Sequence, residues 1–443
     1  MVMASMLTPY RSISGQVHGF VGLESRNVRR ISGSSAPCWR ATGSSSRRIG
    51  LLIDSLIGGG AERVVLNLAS AFRQLGHEVY VIVVRNEIQH ILPEGVAVHV
   101  LSETGRATGS KFLDKLMLAW RMRQLVASIE QDGKPFDFFV SNAEDSDRLS
   151  AMAGLRNVYI RYRNSMIEYM RHKIGHRTGL KRLWREFKWR AHFQSVYGDR
   201  DIITVSDALH DDIIKQAGVR PRSLRTIYNP FDFAAIREQA EAYMPEVQGP
   251  YVVYAARFNS RKRQDLLLDA YARSAARETH KLVLIGDAYT SSERDWLEQM
   301  KQRIVQLGLA HRVVMPGFQT NPYPWIRHAD LFAMSSDSEG LPTVLIEALI
   351  LGTPVVSTDC PTGPSEILTG ELARFLCPRD NAPALAGLID QALSQYPAIS
   401  DAGLSRFSAE HSAHQYLAYC GSGRNVASRA ANKLLRRSSW WNA

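Results

Sequence analysis

The chain has 443 residues, enough for two domains or slightly more, and 45% of them are hydrophobic. Its longest strongly apolar run is VYVIVV at Val79–Val84, well short of the ~18 apolar residues that a membrane span needs, so any meeting with a membrane is at the surface. A net charge of +11 and a pI near 9.5 favour anionic partners: phosphorylated substrates, anionic lipid headgroups or nucleic acid.

Residues 1–47 are rich in Ser, Arg and Gly, with Glu24 their one acid, and read as a disordered or targeting-like extension. Order begins at RRIGLLIDSLIGGGAERVVLNLASAFRQLGHEVYVIVV. Ile49–Ile53 is a buried strand, Gly58, Gly59 and Gly60 a turn, and Ala61–Leu75 a helix that Gly76 stops. Tyr80–Val84 is again a strand, which completes a parallel β-α-β unit with a glycine-rich loop at the first strand's carboxyl end. Phe136–Asn142 and Asn157–Tyr162 read as further strands, and Asp201–Leu209 as a strand followed by a helix.

Near Tyr228 the pattern changes to a turn cluster, YNPFD, a polar helix over Ala234–Tyr243 and the linker PEVQGP. Strand-helix alternation then restarts at YVVYAARF. It continues through DLLLDAYARSA, KLVLIGD, a helix ending at Gly308, RVVMPGF, the short helix NPYPWIRHA and the strand DLFAMSS. The helix PTVLIEALILG, the strand TPVVSTD and a last helix over Ala409–Tyr419 follow. Two doubly wound stretches, 48–230 and 249–408, thus imply an α/β protein of two Rossmann-like domains with a cleft between them. In such sheets ligands bind beyond the carboxyl ends of the strands. The four cysteines, Cys38, Cys360, Cys377 and Cys420, are far apart and read as free thiols in a reducing cytosol.

The strand-end loops carry the chemistry. In SSDSEGLPTVLIEALILGTPVVSTD, Pro342 suits the first position of a helix and Gly352 its stop. The helix amino terminus is a phosphate site by its unpaired N–H groups and positive dipole end. Glu339 lies in the loop beside it. Glu347 sits about one and a half turns into the helix, where it either accepts hydrogen bonds from vicinal hydroxyls such as a ribose's or faces solvent. Its neighbours Val344, Leu345, Ile346, Ala348, Leu349 and Ile350 are apolar, which argues against a solvated face. In ARFNSRKRQD, Arg257 ends a buried strand and Arg261, Lys262 and Arg263 follow; an Arg and a Lys placed there neutralise a diphosphate from two directions, or else form a solvated basic loop. The Gly58–Gly60 loop is phosphate-friendly but is neither G-x-G-x-x-G nor a P-loop. Asp145-Ser-Asp147 and Asp199-Arg-Asp201 fit D-x-D, a pattern of common residues that chance supplies readily, and no metal is expected.

Taken in order, GGAERVVLNLA, TVSDAL, IYNPFD, ARFNSRKRQDLLLDAYA, KLVLIGD, MPGF and SSDSEGLPTVLIEALILGTPVVSTD resemble glycosyltransferase family 4 of the GT-B fold, over about Arg48–Tyr419. The family's E-x7-E motif maps onto Glu339 and Glu347. The resemblance implies that Glu339 lies near the donor sugar and diphosphate, that Glu347 binds the donor ribose, and that Arg257 and Lys262 hold the diphosphate. Gly340 and Leu341, with Gly59 and Gly60, complete the donor site. It also implies an amino-terminal acceptor domain, a carboxy-terminal donor domain, a helix over 409–420 that returns to the first domain, and a basic tail over 421–443. Retention of anomeric configuration without a metal or other cofactor follows, with a nucleoside-diphosphate sugar as donor and a lipid-linked or surface-polysaccharide glycan as acceptor. Three positions depart from the family. Ala256 stands where a Gly is usual. Arg163 and Asn164 stand where many members carry a His, which marks them as candidate acceptor contacts. The lysine-glycine pair reads Lys262-Arg263, with Arg261 a competitor for the lysine's place.

Two alternatives belong to other classes: a sugar-nucleotide epimerase of the same fold, which converts its substrate with no acceptor, and a non-catalytic sugar-nucleotide binding protein. The segment Arg171–Phe193 interleaves Lys and Arg with Trp184, Phe187, Trp189 and Phe193, and Leu180, Leu183, Trp184 and Phe187 fall at helical spacing. Such a basic aromatic helix suits an anionic membrane surface, or packs its aromatic stripe on the domain. Nucleic acid is not expected, since no motif for it accompanies the patch. The expected location is the cytoplasm, with attachment to the inner face of the membrane left open.

Overall fold

A computed structural model describes residues 46–57, 59–90, 92–104, 111–165, 167, 168, 170 and 179–421. The expected extension over 1–47 falls outside these residues up to 45, as do Gly58, Cys38 and the tail from 422. The chain divides into two compact units, Met1–Val158 and Tyr159–Ala443.

In the first unit, β1 (Arg48–Ile53), β2 (Glu78–Arg85), β3 (Ala97–Ser102) and β4 (Phe138–Ser141) run parallel in the order β3-β2-β1-β4. Every residue of β1 and β4 is buried, as expected of central strands covered on both faces. The helix Gly60–Gln74 crosses from β1 to β2 and buries Val64, Val65, Leu68 and Phe72. Gly76 stops it at φ +84°, in the left-handed region where a glycine costs least. The sequence pattern shows neither β3, an edge strand with partly exposed positions, nor the helix Lys111–Ile129, whose apolar residues are not confined to one face.

The second unit opens on β5 (Val158–Tyr162), β6 (Asp201–Thr204) and β7 (Ser223–Thr226), parallel and in that spatial order. A six-stranded parallel sheet follows: β8 (Tyr251–Ala255), β9 (Lys281–Ile285), β10 (Val313–Gly317), β11 (Leu331–Met334), β12 (Val355–Thr358) and β13 (Leu376–Cys377), in the order β10-β9-β8-β11-β12-β13. The strand order reverses between β8 and β11, which is the doubly wound pattern with its switch point there. Gly308 and Gly352 end their helices at φ +70° and +77°. A capping box of Thr290 and Glu293 starts the helix Ser291–Gln306. The helix Ala409–Gly421 packs on β5 and β7: Tyr419 stacks edge-on against Tyr159 at 5.5 Å and donates to Ser223 Oγ at 2.7 Å. Cys360, Cys377 and Cys420 are buried thiols outside any disulfide, and burial pushes the Cys360 thiol up to about 12.

The start of β1 is held by Arg48, whose side chain is 4% exposed. Its guanidinium donates to Glu78 at 2.9 Å, to Asp132 Oδ1 at 2.8 Å and to the carbonyl oxygens of Ile129 and Lys134. Removing a buried guanidinium strands these acceptors. Arg48→Met should therefore destabilise the chain by about 2–4 kcal/mol, read as a lower urea midpoint at unchanged slope. A midpoint equal to the parent's would show that water replaces the guanidinium without penalty.

Candidate functional site

Strand-end loops of the second unit supply the side chains of interest. The turn after β8 is set by Asn259, whose Oδ1 accepts from the N–H groups of Arg261 and Lys262 at 3.1 and 3.2 Å. The loop after β11 lies directly against it. Asp337 N–H donates to the Arg261 carbonyl at 2.8 Å, and the hydroxyls of Ser335 and Tyr254 donate to the Lys262 carbonyl at 3.0 and 3.3 Å. With both backbones tied, Lys262 Nζ reaches Glu339 Oε1 at 2.5 Å, the two side chains 24% and 11% exposed. Arg261 is exposed, so Lys262, and not its competitor, is the cation brought to Glu339.

Arg263 occupies the position where the family carries a glycine, and it does so at φ +50°. A non-glycine residue there sits in the left-handed region at a cost of about 1 kcal/mol. Its guanidinium grips Asp265 at 3.0 Å, Asp337 at 3.0 Å, and Asp380. Arg263 is thus a clamp between loops rather than a free phosphate ligand. Arg257, by contrast, is exposed and lies over the Tyr289 ring at 5.1 Å.

The helix Thr343–Ile350 starts one residue later than expected, and Pro342 is its N-cap rather than its first residue. The loop that bears Glu339 leads directly into this amino end, where the first backbone N–H groups lack intrahelical partners. Glu347 is 3% exposed, and Tyr323 Oη donates to its Oε1 at 3.2 Å. The carboxylate is therefore an interior one, not a solvated helix residue. Leu341 is buried at 6%. At Gly340 a β-carbon would overlap the Arg163 carbonyl oxygen, so the loops after β5 and β11 meet backbone to backbone. Ser206 Oγ adds a hydrogen bond to the Gly340 carbonyl at 3.0 Å. Glu366 caps the helix Asp207–Asp211 from outside, accepting from Asp207 N and Ala208 N at 2.7 and 2.9 Å.

The structure thus brings Lys262 and Glu339 together, places Glu347 on the adjoining helix, and sets the backbone of Arg163 on Gly340. The Arg163 side chain is half-buried and Asn164 is exposed. Gly59 and Gly60 belong to the first unit, Gly59 as N-cap and Gly60 as first residue of the helix Gly60–Gln74. Both D-x-D stretches are engaged otherwise: Asp145 faces Arg85 at 3.3 Å and Lys115 at 3.8 Å, and Asp201 pairs with Arg222. Among the described residues no three His, Cys, Asp or Glu side chains are grouped to hold a metal ion. Ser206, Tyr323 and Glu366 escaped the sequence reading, because each acts on a partner far along the chain and none stands in a charged or glycine-rich cluster.

Known proteins agree with this architecture. The family "Glycosyltransferase Family 4" matches residues 58–235, and "Glycosyl transferases group 1" matches residues 236–403. Together the two matches run unbroken over residues 58–403, and the chain belongs to glycosyltransferase family 4. Among curated relatives, N-acetylgalactosamine-N,N'-diacetylbacillosaminyl-diphospho-undecaprenol 4-alpha-N-acetylgalactosaminyltransferase of Campylobacter jejuni is 27% identical over 76% of this chain and 87% of its own length. Lipopolysaccharide 1,6-galactosyltransferase of Salmonella typhimurium is 28% identical over 38% of this chain and 47% of its own. Among solved structures, Anabaena Alr3699/HepE in complex with UDP-glucose superposes with a TM-score of 0.63 at 20% identity, over 85% of this chain and 99% of that one. The fold is GT-B, and the protein is a glycosyltransferase.

Two substitutions probe the loop geometry. Arg263→Ala loses the carboxylate contacts and keeps a strained φ, whereas Arg263→Gly loses the contacts but relieves the strain. The glycine variant should be the more stable of the two by about 1 kcal/mol in urea unfolding. An alanine variant as stable as the glycine one would mean that the loop relaxes out of the left-handed conformation. Gly340→Ala forces a methyl group against a backbone oxygen, which neither side can yield by a rotamer change. It should lower the melting temperature, by about 1–3 kcal/mol in free energy.

Proposed function

We propose that this glycosyltransferase moves a sugar from a nucleoside-diphosphate sugar to a lipid-linked or surface-polysaccharide glycan, with retention of anomeric configuration and without a metal. The observation that carries the donor assignment is the Lys262–Glu339 contact beside the amino end of a helix that buries Glu347. Lys262, Arg257 and the N–H groups at the start of the helix Thr343–Ile350 form the cationic face on which negative charge grows as the sugar–phosphate bond breaks. Glu347, one turn further in, is placed to accept from ribose hydroxyls. Glu339 orients Lys262 and the donor sugar.

In the reaction the acceptor oxygen bonds to the anomeric carbon on the face from which the diphosphate departs. The leaving phosphate oxygen takes the acceptor's proton, so no protein carboxylate has to act as nucleophile. Arg163 and Asn164, at the loop that touches Gly340, are the candidate acceptor contacts. The acceptor class is supported by relatives whose names specify a diphospho-undecaprenol-linked glycan and lipopolysaccharide. The UDP-glucose complex of the structural neighbour supports the donor class. The location we propose for the reaction is the cytoplasm.

A thermal-shift screen with UDP, GDP and ADP tests the donor class, because a ligand stabilises the fold by its affinity and concentration. At least one should raise the melting temperature, and a shift for none of them overturns the reading. With the stabilising nucleotide, Glu347→Gln should weaken binding roughly tenfold or more, as expected for a hydrogen bond to a charged group. Lys262→Ala should lower kcat about a hundredfold with a smaller change in KM. Chelator treatment should leave the rate unchanged, and proton NMR of the first-formed product should show the donor's anomeric configuration.

A further inference from the structure

The helix Gly179–Tyr197 has two apolar faces. One is inside: Phe193 and Tyr197 are 2% and 4% exposed and belong to the core of the second unit, and Trp189 packs against them. The other is outside: Leu180, Leu183, Trp184 and Phe187 are 84%, 62%, 64% and 72% exposed. At helical spacing these four fall within an arc of roughly 100°; Trp189 falls opposite them, and Phe193 and Tyr197 turn progressively toward one side. The alternative that the aromatic stripe packs on the domain therefore holds for Trp189 and Phe193 and fails for the other four. A large exposed apolar patch is uncommon on a protein that meets only water.

The charge beside this stripe decides what covers it. Lys181, Arg182, Arg185, Lys188 and Arg190 stand on the same helix against one acid, Glu186, which pairs with Arg182 at 2.8 Å. Lys188 lies over the Trp184 ring at 5.5 Å, its ammonium at the edge of the stripe. A second copy of this chain would set one basic helix against another. The chain's own outer segments carry the same sign: Arg424, Arg429, Lys433, Arg436 and Arg437 follow residue 421 with no acid, and Arg11, Arg26, Arg29, Arg30 and Arg40 precede residue 46 with Glu24 alone. We propose that this face of the helix Gly179–Tyr197 docks in the headgroup region of an anionic lipid membrane. Leu180, Leu183, Trp184 and Phe187 enter the acyl boundary, and the flanking cations meet lipid phosphates.

This goes beyond the donor chemistry and does not depend on it, so vesicle binding and nucleotide binding can fail separately. The test is flotation of the full chain with phosphatidylcholine vesicles, with and without phosphatidylglycerol, at low and high salt. The chain should float with anionic vesicles at low salt and stay down with phosphatidylcholine alone. Each Lys or Arg near an anionic surface is worth about fivefold in partitioning, so Lys181→Gln, Arg185→Gln and Lys188→Gln together should reduce it roughly a hundredfold. Leu183→Ser with Phe187→Ser should abolish flotation while the melting temperature stays at the parent's, since both side chains are exposed. Equal flotation of either variant overturns the proposal. So does a concentration-dependent dimer that Leu183→Glu with Phe187→Glu dissolves, or retention of duplex DNA at a salt where no vesicle is bound.

Discussion

An ammonium and a carboxylate from two different strand-end loops meet at 2.5 Å, and the rest of the candidate site follows from how those loops are held. The pair itself contributes little net stability, because taking two charges out of water offsets most of their attraction. What it supplies is direction. Lys has a flexible stem and a point charge, and only a fixed partner makes it a defined cation in a site. The stitching beneath it is backbone-based: Asn259 sets the turn, Asp337 N–H bonds the Arg261 carbonyl, and Thr358 Oγ1 donates to the Ser336 carbonyl at 2.7 Å from the neighbouring strand. Such preorganisation lets a charge be stabilised without rearrangement at the moment it forms.

The same constraint explains why Arg263 tolerates a left-handed backbone. A glycine would reach φ +50° without strain but would leave Asp265 and Asp337 facing each other across the loop with no cation between them. Arginine accepts the strain and ties the two loops through its fork of donors. Gly340, on the loop after β11, shows the opposite solution. There the approach of the Arg163 carbonyl leaves no room for any side chain, and the smallest residue is obligatory.

Much of the fold was legible because parallel strands covered on both faces are nearly uniform apolar runs. Glycines past a helix end also have one physical use, and Gly76, Gly308 and Gly352 all take it. Two edge strands were not legible, although a third, β10, was read from RVVMPGF. SLRT at β7 and AVHVLS at β3 have too few buried positions to stand out from loops. In the site, Glu347 and Lys262 could be found from the sequence because a charge inside an apolar helix and a cation after a buried strand are anomalies on their own, whereas Glu339 was marked by the E-x7-E resemblance. Asp337 and Asp380 could not, since their partner Arg263 lies 74 and 117 residues away and nothing local marks the pairing. The charge run Arg261-Lys262-Arg263 reads as one patch, yet its members have three fates: solvent, Glu339 and an aspartate clamp.

That dispersal bears on the excess of positive charge. Around the turn after β8, Arg257, Arg261, Lys262 and Arg263 are matched in number by Asp265, Asp337, Glu339 and Asp380, so the loops that would hold a diphosphate are close to neutral as a group. A donor diphosphate therefore does not account for a net charge of +11. The imbalance lies elsewhere, and the helix Gly179–Tyr197 carries part of it, five cations to one acid, beside exposed Leu, Trp and Phe side chains. Charge alone would suit a soluble polyanion, and exposed apolar area alone would suit a protein partner. The two together on one helix match a partner that is anionic at its surface and apolar a few ångströms below it, which is the layering of a lipid headgroup region.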